Sequence, residues 1–382
     1  MLERIDPKQF DVSLLVLAPG GPLTGSIPHH VEVVPTPPVL TAATLPRSRA
    51  WWALWELARF FSVRKRRLLT ALAALATVVA AAITRTPGQQ LRQRLWRRVG
   101  PHLPQVSGHF DAAVGILGVS TYAVIDLVDA DHKYHWLRSD TRVLQRDERI
   151  EAEYFARLTG VISVSAICTE IFVDVYPSFR DRIREYKNDI PQLPSTAPAE
   201  WPAKASDTLR ILTVARLDKL KGLDLAIEAA EELRRRGRAF SWLVAGDGPE
   251  RSRLTERIRD LALEEHVMLA GTVLNTQPLL AMADLYVHPS RAEGRSNAVE
   301  EAKAAGVAVI TTRYPTVGEQ VTDGVDGIVC DFSVSAIADA IDDLADDPAR
   351  RARIAATAKH VYESERDDPH RLLSDLANGR WP

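Results

Sequence analysis

The second half of the sequence alternates short apolar runs with helix-like stretches, and this pattern constrains the fold more than any other feature. Each run is aliphatic over most of its length, as in strands that are buried on both faces of a parallel sheet. The stretch Gly222–Arg236 places Leu223, Ile227 and Leu233 on one face, which predicts a crossover helix. We therefore predict a doubly wound α/β domain. Its predicted strands are Leu209–Val214, Ser241–Ala245, Val267–Ala270, Leu285–His288, Val307–Thr311 and Gly327–Cys330.

The first half shows the same alternation less regularly. Its predicted strands are Asp11–Leu17, Val31–Val34, Ala112–Leu117, Tyr134–Leu137 and Val161–Val164. Residues 191–206 contain four prolines and few aliphatic residues, which indicates a linker. We predict a first Rossmann-like domain over residues 1–190, a second over 207–364, and a C-terminal tail or helix over 365–382. Two doubly wound domains would face a cleft, where ligands commonly bind.

The composition excludes several classes of protein. With 382 residues, of which 46% are hydrophobic and 26% charged, the chain is long enough for two globular domains and is not typical of a disordered or fibrous protein. Its two cysteines, Cys168 and Cys330, cannot form a disulfide framework or a zinc site by themselves. The low cysteine count favours a reducing compartment, and we expect a cytoplasmic location.

The N-terminal part is basic although the whole chain carries a formal charge of −2. Residues 1–110 hold 14 Lys and Arg against 5 Asp and Glu, and most of the cations lie between residues 47 and 98 beside several tryptophans. The apolar run 68–83 would be about 24 Å long as a helix, shorter than a hydrocarbon core of about 30 Å. A buried helix, a helix on a membrane surface and a span all remain open. Peripheral contact of residues 47–98 with the inner face of the plasma membrane would suit this composition.

Two cations follow the first strand of the second domain. Arg216 and Lys221 lie five residues apart in the loop that leads to the predicted helix at Gly222. From the carboxyl end of one strand both can reach a diphosphate, Arg216 as a planar fork and Lys221 as a point charge. A solvated loop that carries charges is the alternative interpretation.

A glycine turn follows the next strand. Gly246 and Gly248 either let the backbone approach a ligand or form a plain turn. The turn lacks the Gly-Lys-Ser/Thr sequence of a phosphate-binding P-loop, which disfavours ATP hydrolysis by that route.

The most specific pattern follows the predicted strand Leu285–His288. Ser296 is a candidate N-cap for a helix that should end at Gly306. The start of such a helix attracts an anion, because its first N–H groups have no partner within the helix and because the helix dipole adds positive potential there. The predicted anion site consists of Gly294 and the backbone N–H groups near Ser296, Asn297 and Ala298.

Two glutamates flank this predicted anion site. Glu301 lies eight positions after Glu293, so both carboxylates can flank one mouth and accept hydrogen bonds from sugar hydroxyls. Glu300 should point about 100° away on the helix, and we predict that it lies on the surface. Arg295 either contacts solvent, pairs with Glu300 or favours an acidic sugar.

Together these features resemble the donor-binding domain of the family-4 retaining glycosyltransferases, also called glycosyl transferases group 1, which have the GT-B fold. Residues 209–345 carry the resemblance: Glu293 and Glu301 match the E-x7-E signature, and Arg216 and Lys221 match the two cations of the family. The resemblance implies that Glu293 holds the transferred sugar, that Glu301 holds the ribose hydroxyls and that the two cations bind the diphosphate. Glu293, Arg216 and Lys221 are then the expected catalytic residues.

Three further segments of the second domain fit the same family. They are the glycine turn with Gly246 and Gly248, the segment Val267 to Gly271 and the DGxxG turn from Asp323 to Gly327. In the family, the loop at Thr272 and Val273 would lie close to the nucleobase. The resemblance implies that no metal and no cofactor is needed, because cations and the helix dipole stabilise the leaving diphosphate. The DxD-like pair Asp129 and Asp131 precedes a predicted strand in the other domain, and we expect no metal there.

Residues 1–190 resemble the family less closely. The segment Tyr134–Asp140 is similar to one in which a histidine faces the donor sugar, but Arg138 stands at that position. The acceptor-side candidates are therefore His135, Arg138 and Asp140, with His132 as the alternative histidine. Family members also begin with a strand and a Gly-rich loop before the segment that opens this sequence, so we expect a true start upstream or a fragment.

The resemblance implies a hexosyl-type glycosyltransferase that retains anomeric configuration. It would move a sugar from a nucleoside-diphosphate sugar to a hydroxyl of a glycan or lipid-linked acceptor, in cell-surface polysaccharide synthesis. The alternative is a non-catalytic sugar-nucleotide-binding protein or partner subunit derived from this fold. A sugar-nucleotide 2-epimerase is a weaker alternative, because the E-x7-E spacing disfavours it. We expect no nucleic-acid partner.

Overall fold

The chain forms two units. The computed structural model describes residues 2–17, 24–44, 73–78, 80, 84, 86–116, 118–187, 190, 201 and 208–380. Contacts group residues 1–186 with residues 368–382 in one unit, and residues 187–367 in the other. Most of the predicted linker 191–206 and most of the segment 47–98 lie outside the described residues.

The first unit contains two parallel sheets. Its strands are β1 (Val12–Leu15), β2 (Val31–Val34), β3 (His109–Ile116), β4 (Asp129–Leu137), β5 (Gly160–Ser163) and β6 (Ile183–Glu185). β1 pairs with β2, whereas β3 to β6 form a separate four-stranded sheet in chain order. Its helices are α1 (Pro38–Thr44), α2 (Gly88–Val99), α3 (Val119–Leu127), α4 (Glu148–Phe155) and α5 (Ala166–Val175).

Several strands of this unit differ from the prediction. β3 begins at His109 rather than at Ala112, and β1 ends at Leu15 rather than at Leu17. β4 begins at Asp129 rather than at Tyr134, because the polar side chains of its first half hide an extended segment that pairs with β3. β6 was not predicted, because it is only three residues long and only one of these is apolar. The described residues therefore form a pair of strands and a four-stranded sheet, where one doubly wound sheet was expected.

The second unit is built on one six-stranded parallel sheet. Its strands are β7 (Leu209–Val214), β8 (Phe240–Ala245), β9 (Val267–Gly271), β10 (Leu285–His288), β11 (Ala308–Thr312) and β12 (Ile328–Cys330). The spatial order is β9-β8-β7-β10-β11-β12, so the chain winds outward in one direction from β7 and then in the other from β10. The carboxyl ends of β7 and β10 thus define the switch point at which ligands bind such sheets. All six strand predictions are confirmed to within one residue at each end.

The helices of this unit cover both faces of the sheet. They are α6 (Leu223–Arg235), α7 (Arg251–Asp260), α8 (Gln277–Met282), α9 (Asn297–Ala305), α10 (Val334–Asp346) and α11 (Pro348–Glu365). Ile211 of β7 packs in one buried cluster with residues of α6 and α10, whereas the next residue, Leu212, packs in another with residues of α8 and α9. Burial on both faces explains why these strands are apolar over most of their length.

The last helix, α12 (Pro369–Ala377), belongs to the first unit. Leu372 and Leu376 are buried in the same apolar cluster as Tyr134 of β4. The hydroxyl of Tyr134 donates to the carbonyl oxygen of Leu376 at 3.1 Å, and Arg184 of β6 forms an ion pair with Asp375. The residues predicted as a C-terminal tail or helix thus include a helix that completes the core of the first unit.

A pair of leucine substitutions tests this assignment of α12. Leu372→Ala removes a side chain that is 2% exposed, and we expect a loss of about 2–5 kcal/mol that is felt in the first unit. Hydrogen exchange should rise in β3 and β4 and stay unchanged in β7 and β8. The matched variant Leu344→Ala, in α10, should show the opposite pattern. Faster exchange of β7 in Leu372→Ala would contradict the assignment.

Candidate functional site

The loop after β7 is held against the loop after β10. Gly222 adopts φ +64°, and a Cβ at this position would overlap the carbonyl oxygen of Pro289. The carbonyl oxygen of Leu220 accepts hydrogen bonds from Ser290 Oγ at 3.1 Å and from the Arg291 N–H at 2.7 Å. Because Gly222 permits this close approach, the residues that precede it reach the residues that follow β10.

Lys221 and Glu293 meet across these two loops. Lys221 Nζ lies 2.6 Å from Glu293 Oε1, and His288 Nε2 lies 2.9 Å from the same oxygen. The Glu293 side chain is only 10% exposed. Burial alone would raise the pKa of Glu293, but the hydrogen bond from His288 and the charge of Lys221 outweigh burial and lower that pKa to about 2. Glu293 is therefore ionised throughout the neutral range.

Glu301, the second carboxylate of the spacing, has a different environment. Its Oε2 accepts a hydrogen bond from Thr276 Oγ1 at 2.7 Å, and no ion pair to it is found in the described part of the chain. Burial raises the pKa of Glu301, and the bond from Thr276 offsets this only in part. After burial itself, the charges of Glu301 and Glu293 both contribute to the raised pKa of Tyr286, so the two carboxylates lie near the same buried phenol.

The start of α9 differs in part from the predicted anion site. Ser296 is the N-cap, since its Oγ accepts from the Val299 N–H at 3.5 Å. However, the Ser296 N–H itself donates to Gln320 Oε1 at 2.7 Å and is not available to a ligand. Gly294 is buried, Asn297 is exposed and Ala298 is half-buried. Any anion at this helix would meet its first turn at Asn297 and Ala298 rather than Ser296.

The prediction that Glu300 lies on the surface is wrong. Glu300 is 3% exposed, and its Oε1 lies 2.6 Å from an Arg295 guanidinium nitrogen and 3.0 Å from Gln320 Nε2. The Arg295 guanidinium also donates to the carbonyl oxygen of Glu319 at 3.0 Å. Of the three alternatives for Arg295, the structure shows the pair with Glu300. Both side chains are buried, and each charge offsets the cost of burying the other. Arg295 therefore holds the loop between β10 and α9 and is not presented to a sugar.

The two glycines after β8 let loops of the chain approach each other. A Cβ on Gly246, at φ +150°, would overlap the carbonyl oxygen of Ala215, and one on Gly248 would overlap that of Leu217. The Gly246 N–H donates to the carbonyl oxygen of Gly271 at 2.7 Å. The turn therefore links the carboxyl ends of β7, β8 and β9, and this packing accounts for both glycines.

Arg216, Thr272 and Val273, three residues predicted to bind the donor, follow β7 and β9 at this sheet edge and differ in exposure. The Arg216 side chain is 70% exposed, and its nearest acidic group is Asp218 Oδ2 at 3.8 Å. Thr272 is exposed directly after β9, whereas Val273 is half-buried and packs against the cluster that contains Leu212. Exposed Arg216 and Thr272 are thus free to contact a ligand without breaking buried interactions.

The acceptor-side candidates in the first unit are only partly suited to ligand contact. His135 is fully buried in β4, its Nδ1 lies 2.7 Å from Thr121 Oγ1, and burial, aided by the charge of Arg146, lowers the pKa of His135 to about 3. His132 lies against Gly379, near the C-terminal helix. Neither histidine therefore replaces the one expected at Arg138. His135 is enclosed because β4 is buried on both faces from Tyr134 to Leu137, and His132 lies in the other half of the strand, away from its carboxyl end.

Arg138 and Asp140 do lie after the end of β4. The Arg138 guanidinium stands 5.8 Å from the ring centroid of Trp136, and burial lowers the pKa of Arg138. Asp140 is 8% exposed and forms an ion pair with Arg142 at 2.7 Å. Burial would raise the pKa of Asp140, but the hydrogen bonds from Arg142 lower it. Asp140 thus orders the turn after β4.

The DxD-like pair is part of β4 rather than of a loop before it. Asp129 and Asp131 lie at the amino end of this strand, where their carboxylates contact the two ring nitrogens of His109 at 3.2 and 3.3 Å. Within the described residues, no group of three or more His, Cys, Asp or Glu is arranged to hold a metal ion.

Three residues of the site were not singled out from the sequence: Thr276, His288 and Gln320. Thr276 bonds Glu301, His288 bonds Glu293, and Gln320 joins Ser296 to Glu300. His288 carried a usable signal, because a polar residue at the carboxyl end of an aliphatic strand lies where this sheet binds ligands. Gln320 carried none, since its partners come from a different segment.

Two α/β units, a six-stranded sheet with its switch point at β7 and β10, and paired carboxylates at that point define a protein of the GT-B class. Residues 200–361 match the family model described as Glycosyl transferases group 1. The solved structure of Anabaena Alr3699/HepE in complex with UDP and glucose shares the fold, with a TM-score of 0.66 over 97% of this chain and 93% of that chain at 17% identity. The glycosyltransferase from Rickettsia africae ESF-5 gives a TM-score of 0.56 over 71% and 76% at 17% identity.

Curated relatives match about two fifths of the chain. The alpha-D-kanosaminyltransferase of Streptomyces kanamyceticus is 34% identical over 151 residues, which are 39% of each chain. The GDP-mannose-dependent alpha-(1-6)-phosphatidylinositol monomannoside mannosyltransferase of Mycolicibacterium smegmatis is 36% identical over 160 residues, 39% of this chain and 42% of that one. The chain thus spans about two fifths of the length of these relatives.

The helices of the described residues are short or polar by the standard of a bilayer span. In the part of the chain that the structure covers, no helix is both long enough and apolar enough to cross a membrane. Most of the apolar run 68–83 is outside that part.

The opposite environments of the two glutamates predict opposite effects of a Gln substitution on stability. Glu293→Gln should destabilise the ligand-free protein by about 1–3 kcal/mol, because Lys221 and His288 lose their shared ionic partner. Glu301→Gln should raise the melting temperature at pH 7, because it removes a buried charge while the amide oxygen still accepts from Thr276.

The pH dependence of stability provides the control. A folded-state pKa of about 2 for Glu293, below its ordinary value, contributes stability that is present above about pH 4.5 and lost as pH falls toward 2. The raised pKa of Glu301 has the opposite effect. As pH rises through that pKa, Glu301 becomes ionised while buried, and the free energy of unfolding falls. Melting curves of wild type, Glu293→Gln and Glu301→Gln between pH 3 and 8 check both signs. A lower melting temperature for Glu301→Gln at pH 7 would show that its buried charge is not the destabilising element.

Alanine substitutions at Gly222 and Gly324 distinguish the cost of backbone strain from the cost of steric overlap. Both adopt positive φ, +64° and +73°, but only Gly222 faces an atom within contact distance of an added Cβ. Gly324→Ala should cost about 1–2 kcal/mol from backbone strain alone. Gly222→Ala should cost about 1–3 kcal/mol more, because the loop after β10 must move. Urea unfolding measures both values, and equal losses would show that the Gly222–Pro289 approach is not restrictive.

Proposed function

We propose that the protein is a retaining hexosyl-type glycosyltransferase that uses a nucleoside-diphosphate sugar. The observation that carries the proposal is the contact of Lys221 with Glu293 at the switch point of the sheet, with Glu301 eight residues later in the helix α9. A cation for the diphosphate and two carboxylates for hydroxyl groups are what a sugar nucleotide requires. The family of residues 200–361 and the names of its relatives support this chemistry.

The proposed diphosphate site combines Arg216, Lys221 and the first turn of α9. Arg216 is 70% exposed, and its contact with Asp218 is long, at 3.8 Å, so a phosphate would displace only a weak surface ion pair. Lys221 is 23% exposed and sits beside the ionised Glu293. Negative charge grows on the leaving diphosphate in the transition state, and two cations with a helix dipole would stabilise it more than the ground state. We therefore propose that a divalent cation is not required.

The two glutamates divide the hydroxyl groups of the donor between them. Glu293, ionised and held by two donors, would accept hydrogen bonds from the transferred sugar. Glu301, whose Oε2 accepts from Thr276 Oγ1, would accept them from the ribose. Thr272 and Val273 follow β9 and would lie beside the nucleobase.

The proposed reaction exchanges one bond at the anomeric carbon. The bond from this carbon to the β-phosphate oxygen breaks, and the acceptor hydroxyl oxygen bonds to the same face. The acceptor proton passes to the departing phosphate oxygen, so no protein nucleophile is needed. A glycan or a lipid-linked acceptor fits the relatives, of which one is named for a phosphatidylinositol monomannoside acceptor. Residues 47–98 would provide peripheral contact with a membrane face, and a role in cell-surface polysaccharide synthesis would follow.

A non-catalytic sugar-nucleotide-binding protein is the second candidate. It is favoured by Arg138, which stands where the family resemblance places a histidine, and by the core position of His135. The two candidates differ in one result: the second one binds the nucleotide but neither transfers nor hydrolyses the donor.

The first test is a thermal-shift panel. UDP, GDP, ADP, UDP-glucose, GDP-mannose and ADP-glucose are added to wild type, Arg216→Ala and the matched control Arg353→Ala, which removes an exposed arginine of α11. Ligand at about 100 times its dissociation constant should stabilise wild type by about 2.7 kcal/mol. The shift should persist in Arg353→Ala and be strongly reduced in Arg216→Ala. Absence of a shift with every nucleotide would refute the proposed site.

Turnover separates the two candidate functions. Donor hydrolysis and transfer should occur in wild type, persist in EDTA, and be abolished in Lys221→Ala and Glu301→Ala without loss of the fold. Nucleotide binding without any donor turnover would instead establish the non-catalytic candidate.

A further inference from the structure

His288 is a buried polar residue in contact with Glu293 that the proposed function leaves without a role. It is the last residue of β10 and is 2% exposed. Its Nε2 lies 2.9 Å from Glu293 Oε1, and its Nδ1 lies 3.2 Å from the hydroxyl of Tyr286. The ring also stacks on Tyr286 at 6.1 Å and meets the edge of Tyr314 at 6.0 Å. The imidazole is therefore fixed in position and in orientation.

Glu293 uses one oxygen for two donors. Lys221 and His288 both contact Oε1, and no hydrogen bond to Oε2 is found among the described residues. An ionised carboxylate has lone pairs on both oxygens, so Oε2 retains its full capacity to accept. The side chain is thus anchored by one oxygen and leaves the other to a ligand hydroxyl.

The two anchors differ in what a ligand would do to them. Lys221 is partly exposed on a flexible four-carbon chain, and an arriving diphosphate would compete with Glu293 for its ammonium group. His288 is enclosed and has no second anionic partner among the described residues. After the diphosphate draws Lys221 away, His288 is the anchor that remains.

We propose that His288 is a positioning residue that holds the Glu293 carboxylate in place when Lys221 turns to the diphosphate, so that Oε2 can accept a hydroxyl of the transferred sugar. This inference rests on the proposed function, because it assigns Lys221 to the diphosphate and Glu293 to the sugar. It separates recognition of the sugar from recognition of the nucleotide: His288 supports the first and not the second.

The test compares two substitutions at the same position. His288→Gln keeps an N–H donor that can reach Glu293, whereas His288→Leu fills the space without one. Calorimetry measures the affinity of wild type and of both variants for the nucleoside diphosphate that gives the largest shift in the panel, and for its sugar conjugate. In His288→Leu we expect the affinity for the sugar conjugate to fall about tenfold and that for the free diphosphate to change less than about twofold. His288→Gln should recover most of the loss.

Tyr314→Phe is the packing control. Tyr314 touches the His288 ring, but its hydroxyl lies near Gln320, so this variant perturbs the same pocket without touching Glu293. It should leave the preference for the sugar conjugate unchanged. A steady-state measurement adds a second readout: His288→Leu should raise KM for the donor and lower kcat, with His288→Gln close to wild type.

The outcomes distinguish this inference from the proposed function. Equal loss of both ligands in His288→Leu, no loss of either, or identical behaviour of the Leu and Gln variants would overturn the positioning role while the donor site stands. Failure of wild type to bind any nucleotide of the panel would overturn the donor site and the positioning role together.

Discussion

The site depends on a buried carboxylate that is compensated from two sides. A carboxylate that is only 10% exposed is costly unless cations or donors surround it, and Glu293 has Lys221 and His288 on one oxygen. These two partners come from the carboxyl ends of the adjacent strands β7 and β10, which are neighbours only because the winding reverses there. The contact thus joins the topology of the sheet to its chemistry. The approach of Gly222 to Pro289 brings the two loops within reach of each other.

The two glutamates show how one edge of a sheet gives two carboxylates different properties. Burial favours a raised pKa for both groups. For Glu293 the donors His288 and Lys221 outweigh burial and lower the pKa to about 2, whereas for Glu301 burial raises the pKa and the bond from Thr276 offsets this only in part. Such opposed environments are typical of sites in which similar groups carry separate roles. In the free protein the cost of burying the Glu301 carboxylate is offset only in part, by Thr276. A ligand whose hydroxyl groups donate to Glu301 would reduce this cost.

The sequence predicted the second unit well and its internal contacts poorly. The strands of the second unit were predicted to within one residue because burial on both faces makes them apolar over most of their length. Arg216, Lys221, Glu293 and Glu301 followed from spacing and family resemblance. Glu300 was wrongly predicted to lie on the surface. Helical geometry gives the direction of its side chain, but it does not show that Arg295 and Gln320, which lie outside the helix, cover it. The Ser296 N–H was assigned to a ligand for the same reason, since Gln320 lies 24 residues away. β6 and the packing of α12 depend on contacts between distant segments, and no local pattern reports them.

The return of α12 to the first unit has a consequence for the order in which the units form during synthesis. Residues 187–367 are continuous in the chain, so the second unit has its whole core as soon as α11 has left the ribosome. The first unit is synthesised earlier, but its cluster lacks Leu372 and Leu376 until these residues are made, after the whole second unit. While the second unit folds, part of the apolar surface of the nascent strands β3 and β4 therefore remains uncovered. This order is the reverse of the usual one, in which the N-terminal domain is completed first. Chaperone binding to the nascent chain should accordingly concentrate on the first unit.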